Sequence, residues 1–263
     1  MKKKKVILRI ILAICLLAVI AFAVMLVREL YIDWQSRSFY EKLSNDANTQ
    51  SREPQLDPGT ENIQQPLQPE DTESSWRPYV DFRALNSKYP GIVAWMKLEG
   101  TLLDYPVMQY KDNDYFLTRL PDGTNHRSGS IFLDHRNSSD FSDKSILIYG
   151  HETKEQDMFG ALKNYRNPEF YEANPIIHLY TPKQDYQIVL FAGHLADPER
   201  DHPPLHFEDD EEFLSYIDHL KSISVFKSDV EVSADDRIVS LCTCAYDFSN
   251  ARLVIVGILV EMN

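Results

Sequence analysis

The longest hydrophobic run of the chain lies near its N-terminus, at residues 6–27, and contains one charged residue, Arg9. As a helix it would extend about 33 Å, enough to cross a hydrocarbon core of about 30 Å. This length favours an uncleaved signal anchor over a cleaved signal peptide, whose apolar region is about 7–15 residues long. Because four lysines precede the run, the positive-inside rule predicts a cytoplasmic tail over residues 1–5 and an exterior location for the rest.

The pattern after the apolar run changes twice. Residues 29–43 carry apolar side chains at helical spacing and predict a stalk. Residues 44–75 nearly lack large apolar side chains and are rich in Asn, Gln, Ser, Thr, Pro and acidic residues, which is typical of a linker. From Trp76 the composition becomes globular. We therefore expect a helical stalk and polar linker over residues 28–75 and one folded domain over residues 76–263.

Within this domain, short β-like runs separated by turn residues outnumber helical patterns. Residues 157–165 and 209–223 have apolar positions at helical spacing. The acidic run 208–212 opens the second helix, where we expect it to complement the helix dipole rather than bind a cation. The pattern predicts a mostly β fold with added helices, built on a largely antiparallel sheet or barrel. The predicted strands cover residues 129–133, 145–149, 176–180, 186–194, 237–243 and 252–260.

Composition and charge exclude several classes of protein. With 43% apolar residues the chain can bury a core, and three cysteines cannot hold together a disulfide scaffold of this size. The formal net charge is −13, but residues 1–30 alone carry +5, so the remainder carries −18. Residues 31–263 are acidic enough to repel phosphate backbones, so nucleic acid is not an expected partner.

The two cysteines of the domain, Cys242 and Cys244, are the first candidates for chemistry. They lie one residue apart on a predicted strand, so their side chains share a face, and a disulfide between them would be strained. A nucleophilic Cys needs a proton donor and acceptor, and His151 ends an apolar strand after Gly150, which we expect to allow a sharp turn. Arg252 opens the last strand, and a hairpin would return it beside Cys244, where a guanidinium can stabilise an oxyanion.

A metal site is not expected. His202 and His206 have the spacing of a helical zinc pair, but Pro203 and Pro204 between them forbid the helix that would bring both rings to one face. No Glu stands between them to act as a base. We expect neither a metal nor another cofactor.

Several segments resemble one family. Residues 240–244, SLCTC, resemble the sortase signature TLxTC, and residues 149–151, YGH, resemble the sortase segment with the catalytic His. Residues 252–257, RLVIVG, resemble the strand that begins with the catalytic Arg. The resemblance runs in order over about residues 79–260. Similarity to class B in particular rests on residues 95–106, 112–117, 129–134, 158–162 and the helix 209–223.

The resemblance implies a sortase-like closed β-barrel and cysteine transpeptidation at the outer face of a Gram-positive membrane. Cys244 would attack the carbonyl of a Thr in the C-terminal sorting signal of a surface protein, and a thioester acyl-enzyme would form. His151 would protonate the departing amine, and Arg252 would stabilise the tetrahedral intermediate. An amine of a cell-wall precursor or of a pilin would then take the acyl group.

The resemblance also suggests residues that contact the sorting peptide. Asn113, Leu117 and Tyr149 match family positions near the peptide. Cys242 occupies the variable position of the signature, where class B often has a Ser that faces the peptide. Two alternatives stay open: a thiol protease with the same residues, whose acyl-enzyme is resolved by water, and an exported binding domain that has lost the chemistry.

Overall fold

The computed structural model describes residues 2–49, 80–153, 156–197, 201–244 and 252–262. By their contacts the residues group into two compact units, Met1–Leu43 and Ser44–Asn263. The first unit is helical and belongs to helix α1, Lys2–Thr49. Most of the predicted linker, residues 50–75, lies outside the described residues.

Helix α1 contains the predicted membrane anchor. The portion Ile10–Ala47 is long and apolar enough to cross a membrane, by length and composition. The described apolar side chains of its N-terminal half are exposed, with Leu17 at 66%. No Gly or Pro interrupts residues 28–49, so the helix continues through the predicted stalk as far as Thr49.

Eight strands of the described residues close a barrel in the order β1-β2-β3-β4-β7-β8-β6-β5. Six neighbouring pairs are antiparallel, while β2/β3 and β4/β7 are parallel. The prediction of a mostly β barrel is therefore confirmed. The strands are β1 Ile92–Lys97, β2 Asp104–Met108, β3 Ile131–Leu133, β4 Ser145–His151, β5 Ile176–Tyr180, β6 Asp185–Ala196, β7 Ile238–Cys244 and β8 Arg252–Glu261.

The six predicted strands correspond to β3 through β8, with ends displaced by at most two residues. The strands β1 and β2 were not predicted. Strand β2 contains Pro106, which has no N–H to donate to a ladder and so weakens the strand signal. Pro106 pairs with Trp95 of β1, and the indole Nε1 of Trp95 donates a hydrogen bond to the Asp104 carboxylate at 2.6 Å.

A long helix covers one face of the barrel, as predicted. Helix α4, Asp210–Ile223, begins after Asp209, whose carboxylate accepts a hydrogen bond from the Glu212 N–H at 2.9 Å. The apolar stripe of α4 is buried against β6, β7 and β8, and each such side chain contributes roughly 1.5–3 kcal/mol. The other predicted helix is instead a 3₁₀ helix, Phe159–Arg166. The described residues also form two short α-helices, α2 Phe82–Lys88 and α3 Pro168–Ala173, and a second 3₁₀ helix, Phe116–Thr118.

Candidate active site

Three neighbouring strands bring the predicted catalytic residues to one end of the barrel. Strands β4 and β7 are parallel, and His151 pairs directly with Cys244, of which the structure describes the backbone. Neighbouring strands lie about 4.8 Å apart. In the antiparallel pair β7/β8, Cys242 faces Val254. Cys244 lies two residues after Cys242 and Arg252 two residues before Val254, so the ends of the three strands adjoin.

Gly150 has a different role from the predicted one. It lies inside the extended strand β4, so the expected sharp turn before His151 is wrong. A Cβ at this position would lie 2.8 Å from Cδ2 of Phe159 and 3.2 Å from Cγ1 of Ile131. Glycine is therefore needed because the Phe159 ring packs directly on the strand that carries His151.

The His151 ring is held by the backbone of another predicted site residue. Its Nε2 lies 2.7 Å from the carbonyl oxygen of Leu117, and the residue is only 4% exposed. A carbonyl can only accept a hydrogen bond, so Nε2 carries a hydrogen. This bond fixes the orientation of the ring and assigns the proton of one nitrogen.

A groove of about 930 Å³ lies at this end of the barrel and includes Arg252 in its lining. Three predicted peptide-contacting residues, Asn113, Leu117 and Tyr149, also line it. Phe132 and Leu147 add apolar surface, so the groove combines apolar walls with a few polar groups, as ligand sites usually do.

Cys242, the fourth predicted peptide-contacting residue, is not among the described residues that line the groove. It is 3% exposed and belongs to the core cluster between the barrel and α4, which includes Phe213 and Val254. Its thiol is not in a disulfide, so the strained bond to Cys244 is not formed.

The segment His202–His206 lines the groove as well, a role that its sequence did not suggest. It contains no helix, in agreement with its two prolines. The part of the chain that the structure describes contains no group of three or more His, Cys, Asp or Glu side chains that could hold a metal ion.

A buried carboxylate beside the groove was also missed. Asp134 follows β3 directly and is fully buried. Its two oxygens accept hydrogen bonds from Arg136 Nε at 2.9 Å and Nη2 at 2.8 Å, from Asn113 Nδ2 at 3.0 Å and from the Tyr149 hydroxyl at 3.2 Å. An Asp immediately after an apolar strand, with an Arg two residues later, was the available signal.

These contacts determine the charge state of the Asp134 cluster, which consists of Asp134, Arg136, Asn113 and Tyr149. Burial alone would raise the pKa of Asp134, but the hydrogen bonds from Arg136 and Asn113 outweigh burial and lower the pKa to about 2. Burial raises the pKa of Tyr149, and the nearby Asp134 carboxylate adds to this shift. At neutral pH the cluster therefore contains an ionised carboxylate, a guanidinium and a neutral phenol.

Known proteins with similar sequences are sortases. The chain is 35% identical over 182 residues to sortase B of Listeria monocytogenes, covering 68% of this chain and 74% of the relative. It is 34% identical over 184 residues to sortase B of Staphylococcus aureus, covering 69% of this chain and 75% of the relative. No family model matches the chain.

The fold agrees with this similarity. A Staphylococcus aureus sortase B structure, solved as a substrate complex, superposes with a TM-score of 0.75 at 31% identity and covers 89% of this chain and 100% of that one. The barrel and the sequence similarity thus define a sortase. The chain belongs to the class B sortases, and it is a transpeptidase that acts on surface proteins.

Proposed function

We propose that this sortase cleaves a C-terminal sorting signal after Thr and transfers the protein to an amine, with Cys244, His151 and Arg252 as catalytic residues. The observation that supports this assignment is the convergence of three strand ends, through the register of β4 with β7 and of β7 with β8. Cys244 and His151 are 93 residues apart in the sequence, so their pairing is a property of the fold.

The first half-reaction forms a thioester. His151 takes the thiol proton of Cys244, and the resulting thiolate attacks the Thr carbonyl carbon. The negative charge that develops on the carbonyl oxygen is stabilised by the Arg252 guanidinium. The C–N bond then breaks, and His151 gives a proton to the departing amine. Because Nε2 binds the Leu117 carbonyl, this proton passes through Nδ1.

The second half-reaction is the reverse with a new amine. The acceptor amine attacks the thioester carbon, His151 takes its proton, and the Cys244 sulfur leaves. The acceptor is an amine of the cell-wall precursor or of a pilin, and no metal or cofactor is required. The groove holds the sorting peptide, with Asn113, Leu117 and Tyr149 in its lining.

The N-terminal helix fits an enzyme that meets its substrates at the membrane. Residues 6–27 of this helix act as a single-pass anchor in the cell membrane, and the four lysines before them favour a cytoplasmic N-terminus. The catalytic domain is then extracellular, in a Gram-positive type of envelope.

The full chain in detergent micelles is the sample for the test. It is incubated with a peptide library that fixes one Thr and varies its neighbours, with triglycine as the amine, and the protein and products are analysed by mass spectrometry. We expect an acyl group on Cys244 and new amide products. Cys244→Ala lowers turnover at least about 1,000-fold, whereas Cys242→Ser, the matched control, retains most of it.

Three outcomes would contradict the proposal. An acyl group on Cys242, or turnover by Cys244→Ala, would reject the assigned nucleophile. Cleaved peptide without any amide product would identify a thiol protease. If no peptide acylates the folded protein, the domain is a binding module.

A further inference from the structure

Asp134 connects three parts of the groove that are distant in sequence. Its side chain binds Asn113 from the loop after β2, Arg136 from the loop after β3 and Tyr149 from β4. All three partners line the groove, whereas Asp134 itself is fully buried and is not among the described lining residues. One buried carboxylate thus sets the positions of three surface groups.

Of the three partners of Asp134, Arg136 is the one that presents a charged group to a peptide in the groove. Its side chain is 53% exposed, although two of its donors are engaged by the fully buried Asp134 carboxylate. A guanidinium has five N–H donors, so the bidentate contact leaves others for a ligand in the groove. The plane of the guanidinium is fixed by the two bonds.

The electrostatic balance of this pair determines what it can recognise. Asp134 offsets the charge of Arg136, so a ligand meets directed N–H donors with little net positive charge. A carboxylate ligand would lose its hydration and gain little attraction, because Asp134 lies just behind the guanidinium. A carbonyl oxygen loses less hydration and can still accept the hydrogen bond.

We propose that Asp134 is a positioning residue that presents Arg136 as a charge-balanced donor, so that this part of the groove selects uncharged carbonyl groups of the sorting peptide over acidic side chains. This rests on the proposed function, since it assumes that the groove holds the peptide. The low pKa of Asp134, about 2, keeps the balance constant through the neutral range.

Two substitutions change the balance in opposite directions. Asp134→Asn keeps the shape of the side chain and leaves the charge of Arg136 uncompensated. We therefore expect a higher kcat/KM for peptides with Glu or Asp near the Thr. Arg136→Gln leaves the charge of Asp134 uncompensated, so we expect a higher kcat/KM for peptides with Lys or Arg near the Thr. A purely structural role for Asp134 would lower turnover for all peptides alike and would not produce opposite preferences.

The test compares full-length variants in detergent micelles with the Thr-fixed peptide library. We expect Asp134→Asn to raise kcat/KM for acidic relative to neutral peptides about tenfold, and Arg136→Gln to raise it for basic peptides by a similar factor. For the best neutral peptide, KM rises in both variants while kcat changes less.

Two controls test whether the effect belongs to this pair. Glu261→Gln removes the carboxylate of an Arg237 pair that does not line the groove, with N···O 3.4 Å, and should leave the selectivity unchanged. His135→Gln removes a ring whose Nδ1 lies 3.6 Å from Asp134 and should also leave it unchanged. If Glu261→Gln changed the preference for charged peptides, the effect would belong to the general charge of the protein. If His135→Gln changed it, the effect would belong to His135.

The outcomes separate this inference from the proposed function. If the wild type transfers peptides but neither variant changes its preference for charged residues, the inference is wrong and the catalytic assignment stands. If the wild type forms no acyl-enzyme, the proposed function fails first. If Asp134→Asn or Arg136→Gln does not fold, Arg136→Lys decides, because it keeps a cation beside the buried Asp134 carboxylate and removes the planar bidentate contact. We then expect a higher KM for the neutral peptide without a new preference for charged residues, and an unchanged KM would overturn the inference.

Discussion

Two parts of the groove lining are held in different ways. The part around Asp134 is fixed by a buried carboxylate with four side-chain hydrogen bonds, and it adjoins the strand end of His151. The segment His202–His206 forms no hydrogen bond with the rest of the described chain. Its shape comes from Pro203 and Pro204 and from Phe207, whose ring packs edge-on against Phe213 at 5.0 Å.

The difference teaches where precision is needed in this site. Hydrogen bonds to a buried charge hold side chains in one geometry, whereas two prolines only restrict the backbone. The part around Asp134 is therefore held in one geometry, and the proline segment can adjust to side chains that vary between substrates.

Among substitutions outside the proposed catalytic residues, the largest effect is expected at the strand end of His151. Gly150→Ala places a Cβ against Phe159, which should cost about 1–3 kcal/mol of unfolding free energy and displace His151, with kcat falling more than about tenfold. Denaturant unfolding and peptide turnover measure the two effects. Gly193→Ala is the matched control, because its Cβ would lie 2.7 Å from Phe226, away from the groove lining. Equal loss of kcat in both variants would contradict the positional argument.

An intermediate effect is expected when the buried carboxylate is neutralised. The pKa of Asp134 falls from 3.8 to about 2 on folding, so its ionised form stabilises the fold above pH 4, and this contribution is lost as the pH falls toward 2. Asp134→Asn should lower the unfolding free energy at pH 7 by about 2 kcal/mol, and the difference from wild type should shrink below pH 4.

Denaturant unfolding of the full chain at pH 7, 4 and 3 measures this dependence. The exposed carboxylate of Glu261 offers a control, since Glu261→Gln should change the unfolding free energy by less than about 1 kcal/mol. A difference between wild type and Asp134→Asn that stays constant from pH 7 to 3 would show that ionisation of Asp134 contributes nothing.

The smallest effect is expected in the proline segment. Replacing Pro203 and Pro204 with Ala loosens this backbone and should raise KM for the best peptide about two- to fivefold with kcat unchanged. Pro182→Ala, in the turn between β5 and β6, should have no effect on KM. A large fall in kcat would mean that the proline segment is as tightly coupled to the chemistry as the Asp134 cluster.

The sequence predicted the elements that have a local signal. The alternation of apolar residues identified β3 through β8, and the helical spacing with an acidic first turn identified α4. The return of Arg252 toward the Cys strand followed from the short connection between two strands. The signature segments then indicated the residues whose strand ends adjoin, and of these Arg252 lines the groove.

The features that were missed depend on contacts distant in sequence. The parallel pairing of β4 with β7 joins segments about ninety residues apart, which no local pattern reveals. The role of Gly150 depends on Phe159 packing on it, and that of Asp134 on partners from three loops and strands. The burial of Cys242 under α4 likewise required the packed helix.

The parallel register of β4 and β7, with β8 beside them, has a consequence for the timing of activity. In the unfolded chain Cys244, His151 and Arg252 are far apart, and only insertion of strand β8 between β6 and β7 brings the ends of their strands together. Pairing of β8 is therefore a precondition for the proposed activity, since a chain in which this strand has not yet paired has no complete site.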